Sequence, residues 1–320
     1  MRVVVTGADG FVGRPTCRRL AAEGHQVIAL IRHRRPVDDL AAHQIIVVED
    51  LGTGHALDQA VKGADALVHL AARTHVMKET SPAPEAEFTR VNVDLTAHVA
   101  EAALRAGLKR FVFVSSVKVN GEQTGGIPFT AEMPPAPLDW YGRSKAKAEE
   151  VLRSTAGNKL DVVILRPPLM YGPGMKGNFA RLFAMAERGI PLPFASIHNS
   201  RDVLSVFSLA DLINRVVSHP AAAGRTFMAR DGTALSTPQL FQAIAQSLGR
   251  NARLFPVPTA MLSLAGTLTG RSAEVQRLTG GLELDDRATR EALQWAPPAS
   301  MQETLRETAV WWKRRLTGSG

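Results

Sequence analysis

Arg2-Val3-Val4-Val5-Thr6-Gly7-Ala8-Asp9-Gly10-Phe11-Val12-Gly13 opens the chain after its first methionine. The run Arg2 to Thr6 is β-branched and reads as a buried parallel strand. A helical stretch follows to about Glu23, with Gly24 as its C-cap. Glycines 7, 10 and 13 sit in the turn between them. They permit a tight turn, close approach of the backbone to a diphosphate, and close helix–strand packing. The helix start supplies free amides and the positive end of a dipole. Between a first strand and a first helix, this triplet points to dinucleotide binding through Gly7, Gly10, Phe11, Val12 and Gly13.

The 320 residues allow one large or two modest domains with ample core. A hydrophobic content of 45% with mixed charge reads as soluble and globular. The single Cys17 excludes an internal disulfide framework and fits a reducing compartment, so a cytoplasmic location is expected. Met1-Arg2-Val3 runs straight into a strand, so no signal peptide is expected. No apolar run approaches the ~20 residues of a membrane span. The net charge of +8 fits either a solvated arginine-rich surface or a taste for polyanions: phosphorylated ligands, anionic membrane or nucleic acid. Aromatic content of 6%, without basic–aromatic interleaving, argues against nucleic acid. No metal site is expected.

Gln26 to Ile31 reads as a second strand, whose end normally meets the adenosine ribose. An acid there selects NAD. Here the strand runs into Arg32-His33-Arg34-Arg35, with no acid until Asp38. Arg32 suits a 2′-phosphate, which favours NADP(H) over NAD(H); the other reading is a solvated loop. A third strand, Ile45 to Val48, leads to Glu49-Asp50-Leu51, placed to meet the adenine amine. Leu57 to Lys62 reads as a short helix. A fourth strand, Ala66 to Leu70, leads to Ala71-Ala72-Arg73-Thr74-His75. Small residues after it let the backbone pass close to the cofactor. His69 and His75 read as packing or surface residues. Helical periodicity runs from about Glu87 to Ala106. Phe111 to Val114 is a fifth strand with Ser115-Ser116 at its carboxyl end, where ligands of open α/β sheets bind.

Asp139-Trp140-Tyr141-Gly142-Arg143-Ser144-Lys145 starts a helix that runs to about Thr155. Tyr141 and Lys145 are four apart and share a face. An ammonium beside a phenol favours the phenolate and makes the Tyr usable in proton transfer. Leu160 to Leu165 is a sixth strand. Proline and glycine then punctuate the chain and the βα alternation breaks. Helices are expected over Leu209–Ser218, Pro238–Leu248, 258–268 and Ser300–Arg315, with a strand over Thr226–Ala229. The apolar side of 258–268 could be core, a dimer face or a weak membrane contact; core is the expectation. Leu316–Gly320 is expected to fray. The expected fold is α/β, a Rossmann-like doubly wound parallel sheet with a smaller C-terminal α/β substrate lobe. Residues 1–166 form the NAD(P)-binding part, its sheet completed by parts of 200–230. Residues 167–320 are mainly the substrate lobe, interleaved with it.

Together, Thr6–Gly13, His69-Leu70-Ala71-Ala72, Ser115-Ser116 with Gly121, Tyr141-Gly-Arg-Ser-Lys145, Leu165-Arg166-Pro167, Tyr171-Gly172-Pro173-Gly174 and Arg201-Asp202-Val203 resemble the extended short-chain dehydrogenase/reductases. This is the NAD-dependent epimerase/dehydratase family of nucleotide-sugar enzymes. The resemblance implies that Tyr141 exchanges a proton with a sugar oxygen. It implies that Lys145 holds the nicotinamide ribose and lowers the Tyr pKa, and that Ser116 hydrogen-bonds the same oxygen. Ser116 is preferred to Ser115 by the family's spacing to Tyr141 and to Gly121. Leu70, Ala71, Ala72 and Pro168 join the cofactor contacts. Asn178 and Arg201 match positions that bind the nucleotide diphosphate, with Arg277 a looser match, and Thr74 and Lys118 lie where sugar contacts fall.

Dehydratases of this superfamily carry an Asp-Glu pair after the catalytic Ser/Thr; here Val117 and Lys118 stand there, which argues against 4,6-dehydration. Asn120 and Leu169 also depart from common family residues. Ser116–Gly121 and Arg166–Phe179 look like the subgroup that reduces the 4-keto group of UDP-2-acetamido-2,6-dideoxy-hexulose for O-antigen or capsule. The expected activity is that NAD(P)H-dependent 4-keto reduction. The alternative is a UDP-hexose or UDP-N-acetylhexosamine 4-epimerase with tightly held NAD. A non-catalytic NAD(P)-sensing protein on the same fold is the outside alternative. The family's homodimers pair the helices near 92–106 and after Tyr141, and the same is expected here.

Overall fold

The computed structural model describes residues 1–33, 40–52, 55–74 and 81–316. Arg34, Arg35, Asp38, His75 and the terminal residues 317–320, on which several expectations fall, lie outside the described residues. The elements in chain order are β1 (Arg2–Thr6), α1 (Gly13–Ala22), β2 (Gln26–Ile31), β3 (Gln44–Val47), α2 (Ala56–Val61), β4 (Ala66–His69), α3 (Pro84–Phe88), α4 (Leu95–Arg105), β5 (Arg110–Val114), α5 (Trp140–Ala156) and β6 (Asp161–Leu165). The second half adds β7 (Leu169–Tyr171), α6 (Gly177–Glu187), β8 (Val203–Ser205), α7 (Val206–Ser218), β9 (Thr226–Phe227), α8 (Thr237–Ser247), α9 (Thr259–Leu268), α10 (Ser272–Thr279), α11 (Arg287–Leu293) and α12 (Met301–Leu316).

Seven parallel strands form one sheet in the order β3-β2-β1-β4-β5-β6-β9. The chain moves outward from β1 in one direction and returns to β4 on its other side. That reversal opens a crevice at the carboxyl ends of β1 and β4, where doubly wound sheets bind ligands. Val3, Val4 and Val5 of β1 are fully buried, so the strand is apolar on both faces. Val3 and Val5 pack with Leu20 of α1 and Leu209 and Ile213 of α7. Val4 packs on the other side with Val99 of α4 and Ala148 and Leu152 of α5. Each such Val or Leu stabilises the layers by about 1.5–3 kcal/mol on full burial.

The remaining helices build a second core. Phe179 and Phe183 of α6, Phe241 and Ile244 of α8, and Leu305 of α12 meet there. It joins the sheet through the two-stranded pair β7–β8. Proline and glycine hide β7, β8 and α6 from a reading of the sequence.

One expectation is wrong. The apolar stretch 258–268 does form a helix, α9, but it is not core. Among its side chains Leu262 alone packs partly against the second core, while Met261, Leu264 and Leu268 are 60%, 60% and 78% exposed. Composition records apolarity, and no described residue covers this face in the folded chain.

Candidate active site

A cleft of about 2160 Å³ runs along the carboxyl edge of the sheet and under α6 and α10. Single drug-sized ligands occupy roughly 300–1,000 Å³, so this volume suits two large ligands side by side. One wall is the glycine turn. Gly7 has φ +65°, and a Cβ there would lie 2.9 Å from the Ala71 amide nitrogen. A Cβ at Gly13 would lie 2.2 Å from the Gly7 carbonyl oxygen. The turn therefore closes tightly on the Leu70-Ala71-Ala72 segment, and no side chain caps the start of α1. An uncapped helix start beside a side-chain-free turn fits a diphosphate. Phe11 and Val12 line the same wall, as do Asp50, Leu51 and the exposed Arg32 beyond it. These residues fit a dinucleotide. Asp50 already accepts a hydrogen bond from the Gly52 amide at 2.8 Å.

Thr6 fixes the centre of this wall. Its hydroxyl accepts from the Leu70 and Ala71 amides, each at 3.2 Å. It therefore donates its one proton to His69 Nδ1, 2.8 Å away, and leaves the ring proton on Nε2. Burial, and Lys145 nearby, push His69 down to about 3. The imidazole is neutral and buried, the packing role read from sequence.

The opposite wall carries the candidate proton chemistry. Ser116 follows β5 by two residues in extended backbone and caps a 3₁₀ turn, Val117–Val119, its Oγ accepting from the Lys118 amide at 3.2 Å. Asp139 caps α5 by accepting from the Gly142 amide at 2.7 Å. A Cβ at Gly142 would lie 2.7 Å from the Lys118 carbonyl oxygen, so glycine lets the first turn of α5 lie on the 3₁₀ turn. That contact brings Tyr141 and Ser116 to one place in the cleft. Burial pushes the Tyr141 phenol up to about 12, against the lowering effect of its hydrogen bond to Ser116. The phenol therefore stands above its ordinary range and carries its proton at neutral pH.

Lys145 does not line the cleft. It is 3% exposed, its Nζ donates to the Val114 carbonyl at 2.8 Å, and it lies 4.3 Å from the centre of the Phe113 ring. Burial draws its pKa down to about 7, while Glu149 works in the other direction.

Ser115 and Ser116 have different fates. The Ser115 hydroxyl donates to Glu149 Oε1 at 2.5 Å. Arg166 grips the same carboxylate through Nε at 3.0 Å and Nη2 at 2.6 Å, and reaches Asn120 at 3.1 Å. Ser115 belongs to that buried network, and Ser116 keeps its hydroxyl proton for the cleft. Sequence reasoning missed Glu149, although it follows Lys145 by four on the same face of α5. It also missed Asn92, which is 1% exposed in a π turn, Thr89–Asp94, between α3 and α4. Its amide holds the Arg73 backbone at 2.8 and 3.0 Å and Ser144 at 2.9 Å. No single-sequence signal marks a π turn.

The remaining candidates all reach the cleft: Thr74, Lys118, Pro168, Asn178, Arg201 and Arg277. Lys118 pairs with Glu122 at 2.8 Å and with the capping Asp139 at 2.5 Å. Asn178 stands in the first turn of α6, exposed to the cleft. Arg201 donates to the Arg277 and Gly280 carbonyls at 2.5 and 2.9 Å. Burial lowers its pKa, while the Glu122 carboxylate works in the other direction. A desolvated guanidinium facing the cleft fits an incoming anion.

A 39% identical relative, a UDP-glucose 4-epimerase of Vibrio cholerae, aligns over 311 residues, 96% of this chain and 94% of that protein. The solved structure of MoeE5 in complex with UDP-glucose and NAD is 25% identical, with TM-score 0.77 over 99% of this chain and 100% of its own. The UDP-glucose 4-epimerase of Thermotoga maritima, 21% identical, shares the fold with TM-score 0.79 over 99% of this chain and 100% of its own. The model of the NAD dependent epimerase/dehydratase family matches residues 3–228, and with the glycine turn, the sheet order and the Ser116–Tyr141 wall already described, the chain belongs to that family.

Proposed function

We propose that this chain reduces the 4-keto group of a nucleotide-linked 6-deoxy-hexosamine, carried on UDP, with NAD(P)H, for surface polysaccharide biosynthesis. The observation that carries the reading is the pair of walls around Tyr141. Ser116, Tyr141 and Lys145 are all present. The place of a dehydratase's acids holds Val117 and a Lys118 already bound by Glu122 and Asp139. An ammonium shared between two carboxylates is no acid/base pair for removing water from a sugar.

In this reading Tyr141 gives its phenolic proton to the ketone oxygen, and the Ser116 hydroxyl hydrogen-bonds that oxygen as it gains charge. Lys145 lies behind the phenol and adds positive charge there below about pH 7. Arg201 and Arg277, with the first turn of α6 at Asn178, receive the diphosphate. Thr74 and Lys118 border the sugar. The bound dinucleotide supplies the hydride, and the Gly7–Gly13 turn, Asp50, Leu51, Leu70–Ala72 and Pro168 hold it. Arg32 at the end of β2 supports NADPH, a cofactor that exchanges after each turnover. No described residue at that end of β2 is acidic.

The second reading is a UDP-hexose or UDP-N-acetylhexosamine 4-epimerase, favoured by the 39% identity to the Vibrio cholerae enzyme. Purified protein separates the two. The reductase consumes one NADPH per 4-keto sugar reduced and is purified without tightly held cofactor. Retained oxidised NAD, with interconversion of UDP-sugars and no added cofactor, would replace it with the epimerase.

A further inference from the structure

Residues 254–270 contain no charged side chain, and Arg253 and Arg271 bracket them. At their centre is α9. Met261, Leu264 and Leu268 lie three and four apart on one face, and all three are exposed. Ala265 on the same face is exposed too, and Phe255 just before the helix is 44% exposed. The opposite face is narrow. Gly266 is buried against α10, where an added Cβ would lie 2.8 Å from Val275 Cγ2. Thus α9 is held to the protein by its thin side and turns its broad apolar side to solvent. The other flank of α10 carries Arg277 and Leu278 on the cleft wall. Only one helix separates α9 from the cleft.

We propose that the outward face of α9 docks the protein on an anionic lipid surface, with the helix lying in the plane of the interface. The charges around it match that partner. Between residues 249 and 281 the charged side chains are Arg250, Arg253, Arg271, Glu274 and Arg277. Glu274 is answered by Arg181 at 3.8 Å and Arg271 at 3.9 Å, so the surplus is positive. The whole chain carries +8. Basic residues flanking an exposed apolar helix face are drawn to anionic headgroups, and the apolar side chains enter the headgroup–acyl boundary. A second copy of the chain suits the face less well. A ten-residue helix is about 15 Å long, and one stripe of it falls far short of the ~800 Å² per partner that a stable interface buries.

The test is co-sedimentation of the full chain with phosphatidylcholine vesicles, with and without roughly one third phosphatidylglycerol. Binding is expected on the anionic vesicles, at least about fivefold above the zwitterionic ones, and falling as salt rises. Leu264→Glu with Leu268→Glu should cut the bound fraction at least about fivefold. The double variant should keep the wild-type melting temperature and its activity on soluble substrate, because both positions are exposed and outside the cleft. Leu268→Ser alone should weaken binding partially. The proposal is overturned by wild-type protein that ignores anionic vesicles, or by a double variant that binds them like wild type. It is equally overturned if the double variant loses a dimer that the wild type forms in solution, since a second copy then covers α9.

Discussion

The chain has two tyrosines, and the surroundings of Tyr141 and Tyr171 teach what ties up one hydroxyl and leaves the other at the cleft. Burial raises both phenols above their ordinary value. Tyr171 is fully buried, stacked on Phe179 with ring centres 5.5 Å apart, and donates to Asp231 Oδ2 at 2.8 Å. Asp231 also accepts from the Ser205 amide at 2.7 Å, so this hydroxyl ties β7 to β8 and has no proton to spare. Tyr141 lies at the cleft wall with a hydroxyl neighbour and, among the described residues, no carboxylate acceptor. Its proton can leave only to something that enters the cleft. A raised pKa alone does not distinguish the two; the presence of a fixed acceptor does.

The largest break in this comparison is Tyr141→Phe. Loss of the proton donor should lower kcat by about 10³-fold, with the melting curve unchanged. A protein that retains full activity would return the non-catalytic reading.

Protonation sharpens the contrast next. Lys145 is held at about 7 in the fold against an ordinary 10.5. Between these values the unfolded chain binds a proton that the folded chain has released. Stability should therefore rise with pH across that window, by up to about 1.4 kcal/mol per unit from this group. His69, held at about 3 against 6.5, acts on the acid side. There the unfolded chain gains a proton first, so stability should fall as pH drops below 6.5. Denaturant titrations of Lys145→Met and His69→Gln should each lose the slope in the matching window.

The smallest effect is Tyr171→Phe. It removes one of the hydroxyl donors to Asp231, beside Ser205 and Ser208, a loss of about 1–3 kcal/mol in stability. Activity per folded molecule should stay within about twofold, since nothing in the cleft moves. A large fall in kcat at constant stability would erase the distinction between the two tyrosines.

Much of this is legible in the sequence because it is local. The β-branched run, the glycine turn and the four-residue spacing of Tyr141 and Lys145 are each set by neighbours in the chain. The illegible part depends on distant partners. Lys118 lines the cleft as the sequence suggests, but its ion pair with Asp139, 21 residues on, is not visible in the sequence. Ser115 and Ser116 are equivalent by type, and Glu149 and Arg166 separate them in space. The stretch 258–268 reads as core because apolarity is visible in a sequence and the absence of a covering element is not. The four-residue spacing puts Lys145 on the face of Tyr141, but its hydrogen bond to the Val114 carbonyl comes from a strand 31 residues back.

The π turn at Thr89–Asp94 has a bearing on how this region can change length. It holds one residue more than an α-helical turn would, and that surplus sets the phase between α3 on one side and α4 on the other. Phe88 at the end of α3 lies 6.3 Å from the Tyr141 ring, and Asn92 inside the turn grips Arg73 and Ser144. Deleting a single residue here would let the helix run on unbroken while rotating one part against the other by about 100°. Phe88 and Asn92 could not then both keep their partners. The middle of this helix has a fixed count, and that count is read out beside Tyr141 at the cleft wall.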